Sequence, residues 1–114
     1  MATAAKADTW RWGKSLVACF DELRQQLAEH QPPVVDREVI PSFTGTPDKL
    51  VLWLICAKKS QVPKLKRQAA DLRALFTEAM ARHEFPQSAR DALWLGFTSL
   101  EHIEEGGGRF AFFR

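Results

Sequence analysis

An eight-residue apolar run at residues 50–57, Leu-Val-Leu-Trp-Leu-Ile-Cys-Ala, limits the folds open to this sequence. The run is short, contains β-branched and aromatic residues, and follows the turn-forming residues 45–48. These features predict a β-strand rather than a piece of buried helix. A membrane-spanning helix needs about 20 apolar residues, so the run is too short to cross a bilayer.

Both faces of this predicted strand are apolar. Because side chains alternate along a strand, Leu52 and Leu54 point one way. Val51, Trp53 and Ile55 point the other way. A strand with one face in water should carry polar residues on that face. The strand is therefore covered on both sides, or one of its faces is a contact surface for another molecule.

The composition is that of a soluble globular domain. The chain has 114 residues, of which 46% are hydrophobic and 26% charged, and a net charge of +2, which does not by itself indicate nucleic-acid binding. We predict a flexible N-terminus at residues 1–8 and a single domain at residues 9–114. Cys19 and Cys56 lie in apolar settings, and no signal-peptide pattern opens the chain, so we expect reduced, buried thiols and a cytoplasmic location.

Two helices and a hairpin are predicted around the central strand. Apolar residues recur at steps of three and four over residues 10–29, which predicts an amphipathic helix. Residues 34–43 predict a first strand. Pro41 indicates an edge position or a bulge, and the charged residues 36–38 are typical of an edge strand. A second long helix is predicted over residues 60–83, with Ser60 as its N-cap.

The C-terminal third predicts two further strands. Residues 92–98 and residues 109–114 alternate in the manner of strands. Between them, the capping-box spacing of Thr98 and Glu101 predicts a short helical turn that ends at the glycines of residues 106–108. The order α-β-β-α-β-β predicts an α+β two-layer sandwich, with both helices on one face of a mixed or antiparallel four-stranded sheet.

The sheet face away from the helices is the candidate functional surface. Its predicted members are apolar or aromatic: Val51, Trp53, Ile55, Trp94 and Phe113, with Phe110 and Phe112 as the alternative to Phe113. A contiguous patch of this kind usually marks an interface, with aromatic residues as anchors. We therefore expect a non-catalytic interaction module that binds a protein partner or a second copy of itself. The alternative is that the N-terminal segment, with Trp10 and Trp12, covers this face.

Nucleic-acid binding is the alternative function. It would use the basic residues near the start of the second helix and close to the C-terminus: Lys58, Lys59, Lys64, Arg67 and Arg109. The phenylalanines of residues 110–113 could stack bases beside these cations. The commoner interpretation of such basic residues is a solvated helix face.

No motif for catalysis, metal binding or phosphate binding is present in the sequence. His102 stands alone among glutamates, whereas zinc prefers more nitrogen and sulfur ligands. No Lys-Ser or Lys-Thr pair follows the glycines of residues 106–108, as a phosphate loop requires. Cys19 and Cys56 lack the exposed, electropositive setting of a reactive thiolate. We expect no cofactor, no metal and no enzymatic activity.

Overall fold

The structure is a computed structural model that describes the backbone of residues 2–40 and 49–113 and the side chains of residues 11–40 and 49–113. These residues form a small α+β domain with six helices and a three-stranded mixed sheet. In chain order the elements are α1 (Ala2–Glu29), β1 (Asp36–Ile40), β2 (Val51–Cys56), α2 (Val62–Arg67), α3 (Ala69–Arg82), α4 (Gln87–Ala92), β3 (Trp94–Ser99), α5 (Leu100–Glu105) and α6 (Arg109–Phe112). No helix in this part of the chain is long and apolar enough to cross a bilayer.

The apolar run forms the central strand, as predicted. The sheet order is β1-β2-β3. β1 pairs with β2 antiparallel, with Glu38 opposite Trp53, and β3 pairs with β2 parallel, with Gly96 opposite Trp53. β1 therefore lies at an edge of the sheet, and of the two predicted sheet types, mixed or antiparallel, the structure has the mixed one. Pro41 and the turn-forming residues 45–48 lie outside the described residues.

One face of the sheet packs against the helices to form the main core. The core combines β2 residues with apolar residues of the two long helices: Leu52, Leu54, Leu16, Phe20, Leu23, Leu27, Leu72, Phe76 and Met80. The rings of Phe20 and Phe76 stack with their centroids 6.4 Å apart, and this contact joins α1 to α3. Leu52 and Leu54 share this face, as the predicted alternation requires, and both are fully buried in the main core.

The helix predicted over residues 60–83 is divided at Gln68 into α2 and α3. At Gln68 the backbone leaves α-helical geometry, with a ψ of 11°. The Gln68 side-chain amide donates a hydrogen bond of 3.1 Å to the carbonyl oxygen of Gln31, which ties this break to the segment after α1. The predicted N-cap at Ser60 is wrong, because a 3-10 turn at Lys59–Gln61 precedes α2.

The last predicted strand is wrong, because this segment forms the one-turn helix α6. Gly107 and Gly108 have φ values of 91° and 94°, a region that glycine enters without steric cost. Three side chains then follow at positions i, i+3 and i+4, namely Arg109, Phe112 and Phe113. That spacing places them on one side of a helix, whereas in a strand the neighbours Phe112 and Phe113 would point to opposite faces.

The predicted four-stranded, two-layer sandwich is not confirmed. The two long helices share one face of the sheet, as predicted, but α6 packs on the other face through Phe112 and Phe113. The sheet is therefore contacted by helices on both sides. This arrangement explains why neither face of β2 carries polar side chains.

Candidate interaction surface

The second face of the sheet brings together all of the predicted contact residues. The register places Val51, Trp53 and Ile55 of β2 beside Trp94 of β3. Phe113 approaches from α6, with its ring centroid 5.5 Å from that of Trp53. The five residues differ in exposure, because Ile55 is fully buried whereas Trp94 is 50% exposed.

Trp53 lies at the centre of an aromatic cluster on this face. Its ring centroid lies 5.1 Å from that of Trp94 and 6.1 Å from that of Phe112. Gly96 lies opposite Trp53 on the neighbouring strand, and a Cβ atom there would lie 2.5 Å from the Trp94 ring and 2.7 Å from the Trp53 ring. Only a residue without a side chain leaves room for the two indoles to meet.

Arg109 attaches α6 to the edge of the sheet. Its Nη2 donates a hydrogen bond of 2.8 Å to Oδ2 of Asp36, and its Nε lies 4.0 Å from Oε1 of Glu38. The register places Asp36 opposite Ile55 and Glu38 opposite Trp53, so both carboxylates stand on the same face as the aromatic cluster. The charged residues of β1 were predicted to discourage pairing with another strand at the sheet edge. Two of them, Asp36 and Glu38, also hold α6 through Arg109.

The second face of the sheet is covered by Phe112 and Phe113, near the C-terminal end of the described residues. Trp12 of α1 packs against Phe85, with centroids 4.9 Å apart, on the side of the main core. It therefore does not reach the second face, and the Trp10 side chain lies outside the described residues. The predicted N-terminal cover is wrong as far as Trp12 is concerned, because Phe112 and Phe113 occupy that position instead.

Two shallow depressions open on this face. One, of about 500 Å³, is lined by Lys49, Leu50, Val51, Trp53, Ala92 and Trp94. The other, also of about 500 Å³, is lined by Glu38, Ile40, Arg109, Phe110 and Phe113. Phe110, on the outer side of α6, is 83% exposed. We refer to Trp53, Trp94, Phe110, Phe112 and Phe113 together as the aromatic face.

Two of the predicted nucleic-acid-binding residues are held in ion pairs. The backbone N–H of Lys59 donates a hydrogen bond of 2.8 Å to Glu101, and its ammonium group pairs with Glu105. The hydrogen bond between the side chains of Lys59 and Glu105 raises the pKa of Lys59 and lowers the pKa of Glu105. Arg109 is paired with carboxylates of β1. The three other predicted residues are exposed: Lys58, Lys64 and Arg67.

The two thiols are buried in the structure, as predicted. Burial raises the pKa of Cys19 to about 12 and also raises the pKa of Cys56. The Cys56 Sγ donates to the carbonyl oxygen of Thr98 at 3.4 Å. Both thiols are therefore protonated at neutral pH and shielded from solvent, which is opposite to what a nucleophilic cysteine requires.

Ser99 and His102 form a helix cap, although their side chains lie close together. The Ser99 Oγ lies 3.2 Å from the His102 Nδ1 and accepts a hydrogen bond of 3.1 Å from the His102 backbone N–H. Ser99 is fully buried, so its hydroxyl is not accessible to a substrate. The cap lies one residue after the predicted Thr98. In the described part of the chain, no group of three or more His, Cys, Asp or Glu residues is arranged to hold a metal ion.

Comparison of this chain with protein-family models, with curated proteins and with solved structures found no match. Gly96 was not among the residues predicted for this surface. Its position inside an apolar strand is a signal for it, because a strand glycine often marks a close approach of neighbouring groups.

Proposed function

We propose that this protein is a small non-catalytic interaction module that binds a protein partner through the aromatic face. The observation that carries this proposal is Trp94, which is 50% exposed and yet packed edge to face against Trp53. A large ring that is already held in one orientation loses little conformational freedom on binding. Such rings are the usual anchors of protein interfaces.

The surroundings of Trp94 support the same proposal. Phe110 is 83% exposed at the other end of the face, and the two depressions offer recesses for a partner's side chains. Lys49, Glu38 and Arg109 line their edges. An apolar centre with a charged rim is the usual anatomy of an interface between proteins.

Nucleic-acid binding remains the alternative, with less support. A phosphate group would have to compete with carboxylates for Lys59 and Arg109. The exposed Lys58, Lys64 and Arg67 would give binding that weakens steeply as salt is raised. Association through the aromatic face should instead depend little on salt, because burial of apolar surface drives it.

The test is native mass spectrometry of the chain purified from its own host at low salt and without nuclease. Trp94→Ala removes the proposed anchor, and Val35→Ala is its matched control. Val35 is 48% exposed, but it precedes β1 at a position where alternation directs its side chain away from the aromatic face. We expect a protein complex with the wild type and with Val35→Ala that is lost with Trp94→Ala.

Native mass spectrometry can also give results that change or contradict the proposal. A homodimer that Trp94→Ala converts to a monomer would make the partner a second copy. A complex that survives Trp94→Ala, or co-purified nucleic acid without protein, would contradict the proposal. Far-UV circular dichroism of each variant establishes that the fold is retained before its binding is compared.

A further inference from the structure

α6 packs against Trp53 and the carboxylates of β1 as a bound peptide would. Its contacts are made by three side chains at positions i, i+3 and i+4. Arg109 reaches Asp36 at 2.8 Å, while Phe112 and Phe113 lie 6.1 Å and 5.5 Å from Trp53, measured between ring centroids. A basic group at one end and two aromatic rings one turn later match a surface with carboxylates on its edge and an indole at its centre.

The segment that leads into α6 is built as a hinge. Gly107 and Gly108 both have positive φ values. A Cβ atom added at Gly108 would meet nothing within 4 Å, so no neighbouring side chain packs on this position. A Cβ atom added at Gly107 would lie 3.3 Å from the Cβ of Ala111, so the open position is Gly108, where the glycine backbone allows the following segment to change direction at little cost.

α6 is attached to the sheet through side chains. Within the described residues, no backbone hydrogen bond joins it to a strand, and the N–H groups of Phe112 and Phe113 donate to Gly108 and Arg109 of the same segment. A single helical turn has no stability of its own in water. The Arg109–Asp36 pair has side chains that are 40% and 41% exposed, and exposed pairs hold weakly.

From these observations we propose that α6 is a displaceable latch. In the free protein its rings complete the aromatic face, and the protein partner then takes the place of α6 on Trp53 while Trp94 remains the anchor. The partner presents one helical turn with a basic residue followed at i+3 and i+4 by aromatic residues, as in Arg-Phe-Ala-Phe-Phe. The basic residue binds Asp36 and Glu38, and the two rings cover Trp53. This proposal rests on the proposed function and specifies the chemistry of its partner.

The test uses the full chain and a 12-residue peptide that contains Arg-Phe-Ala-Phe-Phe and is held helical by a side-chain lactam. The peptide carries no tryptophan, and two of the four tryptophans of the chain, Trp53 and Trp94, lie on the aromatic face, so a change in the fluorescence of the protein reports binding. In the wild type, α6 competes with the peptide. In Arg109→Glu the latch is repelled by Asp36 and Glu38, and we expect the apparent affinity for the peptide to rise about tenfold because the open fraction rises.

Two controls make the result specific. A second peptide carries Glu in place of Arg. It should bind the Arg109→Glu protein at least about tenfold more weakly than the Arg peptide does, because its Glu is repelled by Asp36 and Glu38. Phe113→Ala loosens the latch by removing the contact with Trp53 instead of the ion pair. This variant takes the place of Arg109→Glu if Arg109→Glu no longer unfolds cooperatively on heating. It should also bind the Arg peptide more tightly than the wild type does.

Equal affinity of the wild type and both variants for the Arg peptide would overturn the latch. Equal binding of the Arg and Glu peptides would overturn the proposed partner chemistry. Neither result depends on the native complex. A Trp94-dependent complex found together with a failed peptide experiment would retain the interaction module and remove only the latch, whereas the absence of any such complex would remove the module itself.

Discussion

Trp53 and Trp94 meet edge to face above Gly96, with ring centroids 5.1 Å apart and ring planes at 67°. The two residues belong to parallel neighbouring strands, and Gly96 is the register partner of Trp53. The contact therefore depends on an empty position between the rings. It joins Trp53, which is partly buried, to Trp94, which is half exposed.

Substitution of that empty position should separate the two rings. In Gly96→Ala the new Cβ would lie 2.5 Å from the Trp94 ring, closer than atoms can pack. We expect the free energy of unfolding to fall by about 1–3 kcal/mol, as is usual for an overpacked site. Urea denaturation measures the loss, and near-ultraviolet circular dichroism should show a changed tryptophan signal. An unchanged spectrum would mean that the rings do not meet as described.

The two tryptophans should differ in their contribution to stability. Trp53 contacts Trp94, Phe112 and Phe113 and is partly buried, so Trp53→Ala should cost about 3 kcal/mol. Trp94 is half exposed, and Trp94→Ala should cost about 1 kcal/mol, mainly through the lost ring pair. Urea denaturation of both variants checks this order. Equal losses would show that Trp94 is a structural residue and a poor choice of binding anchor.

The N-terminus of α5 depends on the hydroxyl group of Ser99, which accepts a hydrogen bond from the backbone N–H of His102. Replacing a capping serine by alanine costs about 1 kcal/mol, and we expect Ser99→Ala to lose at least that much because the site is buried. Ser88→Ala is the control, since Ser88 is an exposed residue in the first turn of α4. A comparable loss in both variants, measured by thermal unfolding, would contradict the capping role.

The sequence predicted those features that depend on local pattern. The run at residues 50–57 forms the central strand, because its two apolar faces require cover on both sides. Val51, Trp53 and Ile55 lie on one face for the same reason, since alternation is a property of the strand itself. The position of β1 at the sheet edge followed from its charged residues.

Other features depend on residues far apart in the chain, and local pattern did not predict them. The last five residues before Arg114 alternate in sequence, but they also contain an i, i+3, i+4 spacing. Contacts with Asp36 and Trp53 favour the helical arrangement, and these residues lie more than 50 positions away in the sequence. The break at Gln68 likewise meets Gln31 across 37 residues. Periodicity within a short window contains no information about such partners.

Both cysteines should be unreactive in the folded protein. Burial raises the pKa of Cys19 to about 12 and raises the pKa of Cys56, so neither forms a thiolate at neutral pH. We expect 5,5′-dithiobis(2-nitrobenzoic acid) to modify neither residue in buffer and to modify both in denaturant. Rapid modification of one thiol in the native state would show that its part of the core opens readily.

The contact between the two long helices should depend on pH through Glu22. Its carboxylate accepts a 3.0 Å hydrogen bond from the Nε of Arg82 and lies 3.2 Å from the Nε2 of His83. The Arg82 hydrogen bond lowers the pKa of Glu22 below its ordinary 4.5. A depressed pKa in the folded state contributes stability above the ordinary value, and this contribution is lost as the pH falls through the folded pKa. Glu22→Gln should therefore lower the midpoint of thermal unfolding at pH 7, and the difference from the wild type should vanish in acid. The exposed Glu104→Gln should show no such difference, and a Glu22→Gln effect that persists unchanged at pH 2 would mean that packing rather than charge is responsible.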